Sequence, residues 1–441
     1  MQRQRTRRNS FLMEWKSSVG RVIGLSILLF GCAISASPDS QDADVLTQDS
    51  NATNRIYDAA NADLSPSSRC GNGIIESNEA CDDGNVDDGD FCSADCQSVD
   101  LCPRGVLAGD FRLPNRYGWD FSTIAKCTRV AGTLIVADAT LGAMEGACNI
   151  ERIEGNLHFG RFYGEAAMTR SENEIGLTSI KGLSNLKSVN GDLIIDNTRL
   201  RDLEGFENLN EVGGDLIILD NGSLDSLAGM AHLTRIGGRL VVEGNALLSG
   251  SLNGPPMLIE VGGDLIIGGN EIVGDPKEAW AAGKDVLIET HLVRINGLEN
   301  LKSIGGSLYV REPELTDSAS LGGLESIGGS LVIQPFSVYD LRNLTTIGKH
   351  IVMANTNATD ILLELTDLSF IGGDLYIIEN YQLPTCTAID FKNRLITQGF
   401  SGSAAICGNM EDDCGSESCD SDAFDGCRSI ISSIVHSEGL I

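Results

Sequence analysis

The side chains with chemistry to offer in this 441-residue chain are thirteen cysteines, five histidines and a recurring acidic position. The histidines, His158, His232, His291, His350 and His436, lie in separate stretches without the spacing of metal ligands. Asp192, Asp215, Asp264 and Asp374 occupy one position of a repeated phrase, and a row of carboxylates is what acid–base cleavage of a polysaccharide would require. The same position also holds Thr133, Asn156, Arg239, Ser307, Ser330 and His350, so it reads as a solvated strand edge rather than a catalytic row. The two "GGSL" segments put Ser307 and Ser330 in that variable position as well, and no glycine-rich phosphate loop precedes a helix. No catalytic residue is assigned. Asp82, Asp83, Asp87, Asp88 and Asp90 lie among turn glycines and have the oxygen chemistry for Ca²⁺, but the ligand order of an EF-hand is absent. A solvated acidic turn accounts for them, and no other metal or cofactor is implied.

The cysteines cluster at the two ends, with none between Cys148 and Cys386, the usage of an oxidised, exported protein. The N-terminus agrees. Arg3, Arg5, Arg7, Arg8, Lys16 and Arg21 stand against the single Glu14, and the apolar run "VIGLSILLFG" ends just before Cys32. That run is too short for a bilayer, which takes about 20 residues, and reads as a signal peptide over 1–31. "LFGC" resembles a bacterial lipobox, which implies lipid on Cys32 and a membrane anchor; cleavage after "AISAS" is the alternative, and both Met1 and Met13 remain candidate starts. The formal net charge is −30, with 32 basic against 62 acidic residues, which argues against nucleic acid. Residues 32–69, rich in Ser, Ala, Asp and Asn, bury too little apolar surface to offset ordering and read as a flexible tether.

Residues 70–101 carry Cys70, Cys81, Cys92 and Cys96, too close together for a hydrophobic core, so disulfides must hold the segment. "CGNGIIESNEACDDGNVDDGDFCSADC" resembles the myxobacterial cysteine-rich repeat, which implies a bacterial surface or secreted protein and not an enzyme.

Most of the chain writes one phrase repeatedly, as in "VGGDLIILDN" at 212–221. It begins at Val130, Ile153, Val189, Val212, Ile236, Val261, Ile304, Ile327, Ile347 and Ile371, at steps of 23, 36, 23, 24, 25, 43, 23, 20 and 24. A fixed period near 23 with insertions marks a solenoid. Three further columns keep register without a polar exception: Cys127 to Leu368 before the start, Leu134 to Leu375 after it, and Val136 to Ile377 two residues on. The spacing of two predicts a strand with both side chains inward. The paired glycines suit a corner with φ > 0, and Asn197, Asn221, Asn245, Asn270 and Asn380 suit the next corner, by left-handed geometry or a side-chain ladder. The expected fold is all-β, a right-handed parallel β-helix of about ten three-sided rungs over 102–410, followed by an acidic, cysteine-containing tail over 411–441.

This pattern resembles the receptor L domain, and "CPRGVLAGDFRLP" leading to "CTRVAGTLIV" is similar to that domain's opening, where two cysteines close the first rung. The resemblance implies a Cys102–Cys127 disulfide. The need to cap the last rung suggests Cys386–Cys407, and Cys148, Cys414, Cys419 and Cys427 stay unpaired on sequence alone. None of the receptors' ligand-contact residues has a match.

One outward position is unexpectedly apolar. It reads Ile194, Ile217, Val241, Ile266, Tyr309, Val332, Val352 and Tyr376 on successive repeats. β-propensity, cover by the insertions, and an exposed stripe for a partner are three readings of it. The third makes this column the candidate binding face. The function expected is a lipid-anchored bacterial surface protein, in the outer membrane or on the cell surface, that binds a polysaccharide or protein. A β-helix enzyme acting on an acidic polysaccharide, or a passive coat protein, are the alternatives.

Overall fold

The computed structural model describes residues 70–435 apart from 76–78, 80, 81, 83, 84, 87–91, 98, 114–120, 138–143, 145, 161–175, 246, 249, 269–291, 312–314, 316, 317, 335–339, 355, 357–360, 416–418 and 420. The signal segment, the tether, Cys32, Cys81, Asp83, Asp87, Asp88, Asp90 and Asn270 lie outside the described residues.

Each copy of the phrase folds as two short strands joined by the glycine corner. In the copy at Val212 these are Glu211–Val212 and Leu216–Leu219. The first strands stack into an eleven-stranded sheet and the second into a twelve-stranded one. Both are parallel and follow chain order, as a solenoid requires. The first sheet runs from Val106–Leu107 to Phe370–Ile371 and the second from Phe111–Leu113 to Ala404–Cys407. The third side is made of turns. Leu200, Leu203, Phe206 and Leu209 at every third position are buried there, and the corresponding residues of other rungs, such as Leu224, Leu227, Met230 and Leu233, stack on them in the central core.

The expected count of ten falls short at both ends. Leu107 pairs with Val130 and Phe111 with Leu134, so "LAGDFRL" is a rung before the first recognised copy. Ala404–Cys407 pairs with Leu375–Ile378, so "FSGSAAICGN" supplies another strand after the last.

The glycine pair works by proximity rather than by φ > 0. None of Gly213, Gly214, Gly237, Gly238, Gly262 or Gly263 has a positive φ. A Cβ on Gly237 would instead lie 2.1 Å from the carbonyl oxygen of Gly213 one rung away, and one on Gly238 would lie 2.1 Å from an Asp215 carboxylate oxygen. Parallel strands stack about 4.8 Å apart, and at this corner that spacing leaves no room for a side chain.

At the opposite corner the asparagines do both things expected of them. Asn197 has φ 53°. Asn221 is fully buried; its Oδ1 accepts from the Thr198 N–H (3.0 Å) and hydroxyl (2.7 Å), and its amide donates to Ile195 O (2.9 Å) and Asn245 Oδ1 (3.1 Å). Asn380 and Asn409 repeat the ladder near the C-terminal end. Such ladders satisfy buried polar groups that no water reaches.

Both ends of the core are closed. The helix Thr385–Thr397 buries Ala388, Phe391 and Leu395 against the last rung. At the other end Val99, from the cysteine-rich segment, packs on the central core and on Cys92 and Cys96.

Candidate functional site

Most strands of the second sheet are buried on both faces. Inward residues such as Leu216 and Ile218 belong to the central core, while the outward column forms a second apolar cluster of its own. Ile217 is 3%, Val241 4% and Ile266 0% exposed; Tyr309, Val332 and Val352 are buried, and Ile194 and Tyr376 half-buried. The column is in register, Ile217 pairing with Ile194 and Val241, Ile266 with Tyr309, and Val332 with Val352. The expected exposed stripe is therefore corrected: its residues are brought together, but as a second core layer. At the C-terminal end its cover is the helix Ser421–Val435, within the segment expected to be a tail, which contributes Ala423, Cys427 and Ile430.

Solvent meets the first sheet instead. Its outward row contains exposed Arg129, Arg152, Glu211, Arg235 and Phe370, with Ser188, Glu260, Ser303, Ser326 and Thr346 half-buried between them. Charges pair between neighbouring rungs: Arg129 with Glu154 (3.2 Å), Lys187 with Glu151 (2.7 Å), Arg235 with Glu211 (3.2 Å) and Glu260 (3.4 Å), and Lys302 with Glu325 (3.0 Å). The hydrogen bond Arg235 donates to Glu211, with the nearby Glu260 charge, raises the Arg235 pKa further. Exposed pairs of this kind add little to stability; with them Ile259 and Phe370 stand as exposed apolar points.

The acidic position turns out to be an acceptor ladder. Asp110 Oδ1 accepts from Thr133 N (2.7 Å), Thr133 Oγ1 from Asn156 N (3.3 Å), Asn156 Oδ1 from Asp192 N (2.8 Å) and Asp192 Oδ1 from Asp215 N (2.8 Å). Asp215 accepts from Arg239 N (2.6 Å) and, through Oδ2, from the Arg239 guanidinium (2.7 and 3.0 Å). The ladder resumes from Asp264 through Ser307, Ser330, His350 and Asp374 to Ser403. These carboxylates and hydroxyls each hold the backbone of the following rung, so the row is a structural seam rather than the solvated edge expected.

In the cysteine-rich segment Cys70 is joined to Cys96, and Asp82 accepts from Gly71 N (2.9 Å), Asn72 N (3.1 Å) and Gly73 N (2.9 Å). Both Asp82 oxygens thus serve the backbone of a turn. Among the described residues, the groupings of metal-type side chains are Glu79–Asp82–Cys96 and Cys386–Asp412–Cys414, and the cysteines in both are in disulfides.

Cys102 is joined to Cys127 at the first rung. At the other end Cys386 is joined to Cys414 and Cys407 to Cys419, which corrects the expected Cys386–Cys407 pair. The cause is strand alternation: Cys407 pairs with outward Ile378 and lies in the outer cluster, whereas Cys386 begins the capping helix beside Asp412. Cys92 and Cys148 are also disulfide-bonded, and Cys427 is free and buried.

Sequence reasoning missed a third ladder. Asn149, Asn185, Asn208, Asn300 and Asn343 donate to backbone oxygens of Ala125, Cys148, Ser184, Pro256 and Gly322 on the preceding rung. Its signal was an Asn repeated just before the first apolar column.

Residues 126–252 match the family model of the receptor L domain. The receptor L-domain match covers five of the repeats, those starting at Val130, Ile153, Val189, Val212 and Ile236; the same two-strand rung continues to Ile378, and a last second-sheet strand ends at Cys407. The receptor L domain is a binding domain rather than an enzyme family. Comparisons with curated proteins and with solved structures return no match. No helix among the described residues is long and apolar enough to cross a membrane.

Proposed function

We propose that the chain is an exported recognition protein, anchored to a bacterial surface through lipid on Cys32, that binds a polysaccharide or protein on its solenoid. The carrying observation is the receptor L-domain match at 126–252, set in a longer solenoid of the same rungs. Disulfides in an otherwise cysteine-free solenoid fit an oxidising compartment. The ligand face is the outward row of the first sheet. Its residues are exposed or half-buried and their types change from rung to rung, as specificity requires, whereas the outward column of the second sheet is buried from Ile217 to Val352. Carboxylates committed to the backbone seam favour binding over cleavage.

The test is an array of glycans and surface proteins probed with residues 33–441. A specific ligand whose binding falls at least about tenfold in Glu211→Arg/Arg235→Glu supports the reading. A ligand indifferent to that reversal moves the site elsewhere, and turnover of an acidic polysaccharide would replace the reading with an enzyme. Separately, Cys32→Ser should release the full chain from membranes, because the acyl chains supply the membrane affinity. Persistent membrane fractionation, with no uptake of labelled palmitate by the wild type, would remove the anchor.

A further inference from the structure

Among the described side chains of the helix Ser421–Val435, one stripe meets the solenoid. Ala423 and Cys427 are buried and Ile430 half-buried, at positions i, i+4 and i+7, while Asp422, Asp425, Arg428 and Ser429 are exposed. The stripe meets the outer cluster that contains Tyr376, Val352 and Cys407. Gly426 sets the approach: a Cβ there would lie 2.7 Å from the Tyr376 hydroxyl oxygen. A helix this short is marginal in water by itself, so its docking needs help. Two disulfides supply it. Cys407–Cys419 ties the last strand to a residue just ahead of the helix, and Cys386–Cys414 ties the same connection to the capping helix seven residues before Ser421.

We propose that this C-terminal helix is a latched strap over the outer apolar face of the second sheet: Cys407–Cys419 is the latch, Cys386–Cys414 the hinge, and opening the latch uncovers Tyr376 and Val352. The proposal does not depend on which ligand the solenoid binds. An external dithiol opens the latch by exchange. Its thiolate attacks one sulfur of Cys407–Cys419 and the other sulfur leaves as a thiolate. The second thiol of the reductant then closes its own disulfide, leaving Cys407 and Cys419 reduced. With the hinge intact the freed helix stays on a six-residue leash, so release is reversible. Cys427 reports the state of the strap: docked, it is a buried free thiol with its pKa pushed up to about 11, and undocked it meets solvent.

Cys414 of the hinge is exposed, whereas Cys407 of the latch is buried and Cys419 half-buried, so a reductant does not act on the latch alone, which is best opened genetically. In full-length Cys407→Ser/Cys419→Ser, alkylation of Cys427 by a maleimide at neutral pH should accelerate at least about tenfold over the wild type. An unchanged rate means the helix stays docked by packing alone and overturns the latch. Gly426→Leu, which keeps both disulfides, should speed the same reaction by driving the helix off Tyr376; continued protection there refutes the docking. A chain ending at Asp420 should keep its cooperative unfolding and bind more of an apolar dye. Loss of cooperative unfolding would make the helix part of the folding core and end the strap reading.

Discussion

Replacing Ile217, Val241 and Ile266 together with Thr separates an inner layer from a binding stripe. Thr keeps the β-branched shape that a strand favours, so backbone preference changes little. At exposed positions such changes are close to neutral. Here the three side chains are 3%, 4% and 0% exposed, on adjacent strands in register. Each substitution puts a hydroxyl where the strand's own backbone groups are already paired, at about 1–3 kcal/mol for an unsatisfied group. The two isoleucines also lose roughly a methylene each, at about 0.8 kcal/mol. The sum is about 5–10 kcal/mol, concentrated in the middle of a fold whose rungs are stabilised mainly by their neighbours. The midpoint of thermal unfolding, followed by circular dichroism, should fall by at least about 10 °C. Arg129→Thr/Glu211→Thr/Arg235→Thr, on the outward row of the first sheet, is the control and should stay within about 2 °C of the wild type. If the two triple variants melt alike, the column is not a core layer and the assignment of faces fails.

Four further outcomes follow from the rungs. Gly237→Ala should destabilise by about 2 kcal/mol or more, measured by urea unfolding, because its Cβ would enter van der Waals overlap with Gly213 O, 2.1 Å away. Asn221→Ala should cost about 3–5 kcal/mol in the same assay, since four hydrogen bonds at a fully buried site lose a partner, while Asn208→Ala, with one bond at an exposed site, should cost under about 1 kcal/mol. Asp192→Asn, which keeps an acceptor for Asp215 N, should unfold near the wild-type midpoint, and Asp192→Lys, which removes it, well below. Burial holds the Cys427 thiol neutral up to about 11 against an ordinary value of 9.0, so its contribution to docking is complete below pH 9 and is lost as pH rises toward 11; apolar-dye binding should climb across that window and climb less in Cys427→Ala.

The repeats were legible because a solenoid writes each inward contact once per rung, and ten copies make the columns visible. What lies between rungs is harder to read. A glycine pair looks the same whether it supplies φ > 0 or makes room for a neighbour, and only the position of Gly213 O relative to Gly237 decides. The terminal rungs escaped because they depart from the phrase: Phe111 and Ala404 stand in the leucine column, and the capping helix stretches the last step. That omission carried the disulfide error with it. Once "FSGSAAICGN" is aligned with "IGGDLYIIEN", Ile406 falls on inward Ile377 and Cys407 on outward Ile378, so Cys407 belongs with a partner outside the solenoid. The apolarity of the outer column was plain in the sequence, but its cover at one end comes from residues 421–435, in a segment whose composition read as a tail.

The acceptor ladder also changes what the acidity of the chain means. A backbone N–H at that corner needs an oxygen or an unprotonated ring nitrogen from the rung beside it, and Asp, Asn, Ser, Thr and His can each supply one. Asp110, Asp192, Asp215, Asp264 and Asp374 therefore share a position with Thr133, Asn156, Ser307, Ser330 and His350 because all are acceptors of suitable reach, not because a charge is needed there. Arg239 has no acceptor and breaks the series, and the structure answers at that rung by giving Asp215 both jobs, the Arg239 N–H on one oxygen and the guanidinium on the other. Apart from Arg239, the occupants of this position vary in charge but all keep an acceptor. Recognition needs the opposite freedom, side chains that differ without disturbing the rung beneath. The outward row of the first sheet has it, where Arg152, Ser188, Glu211, Arg235, Glu260 and Ser303 succeed one another on strands of identical register.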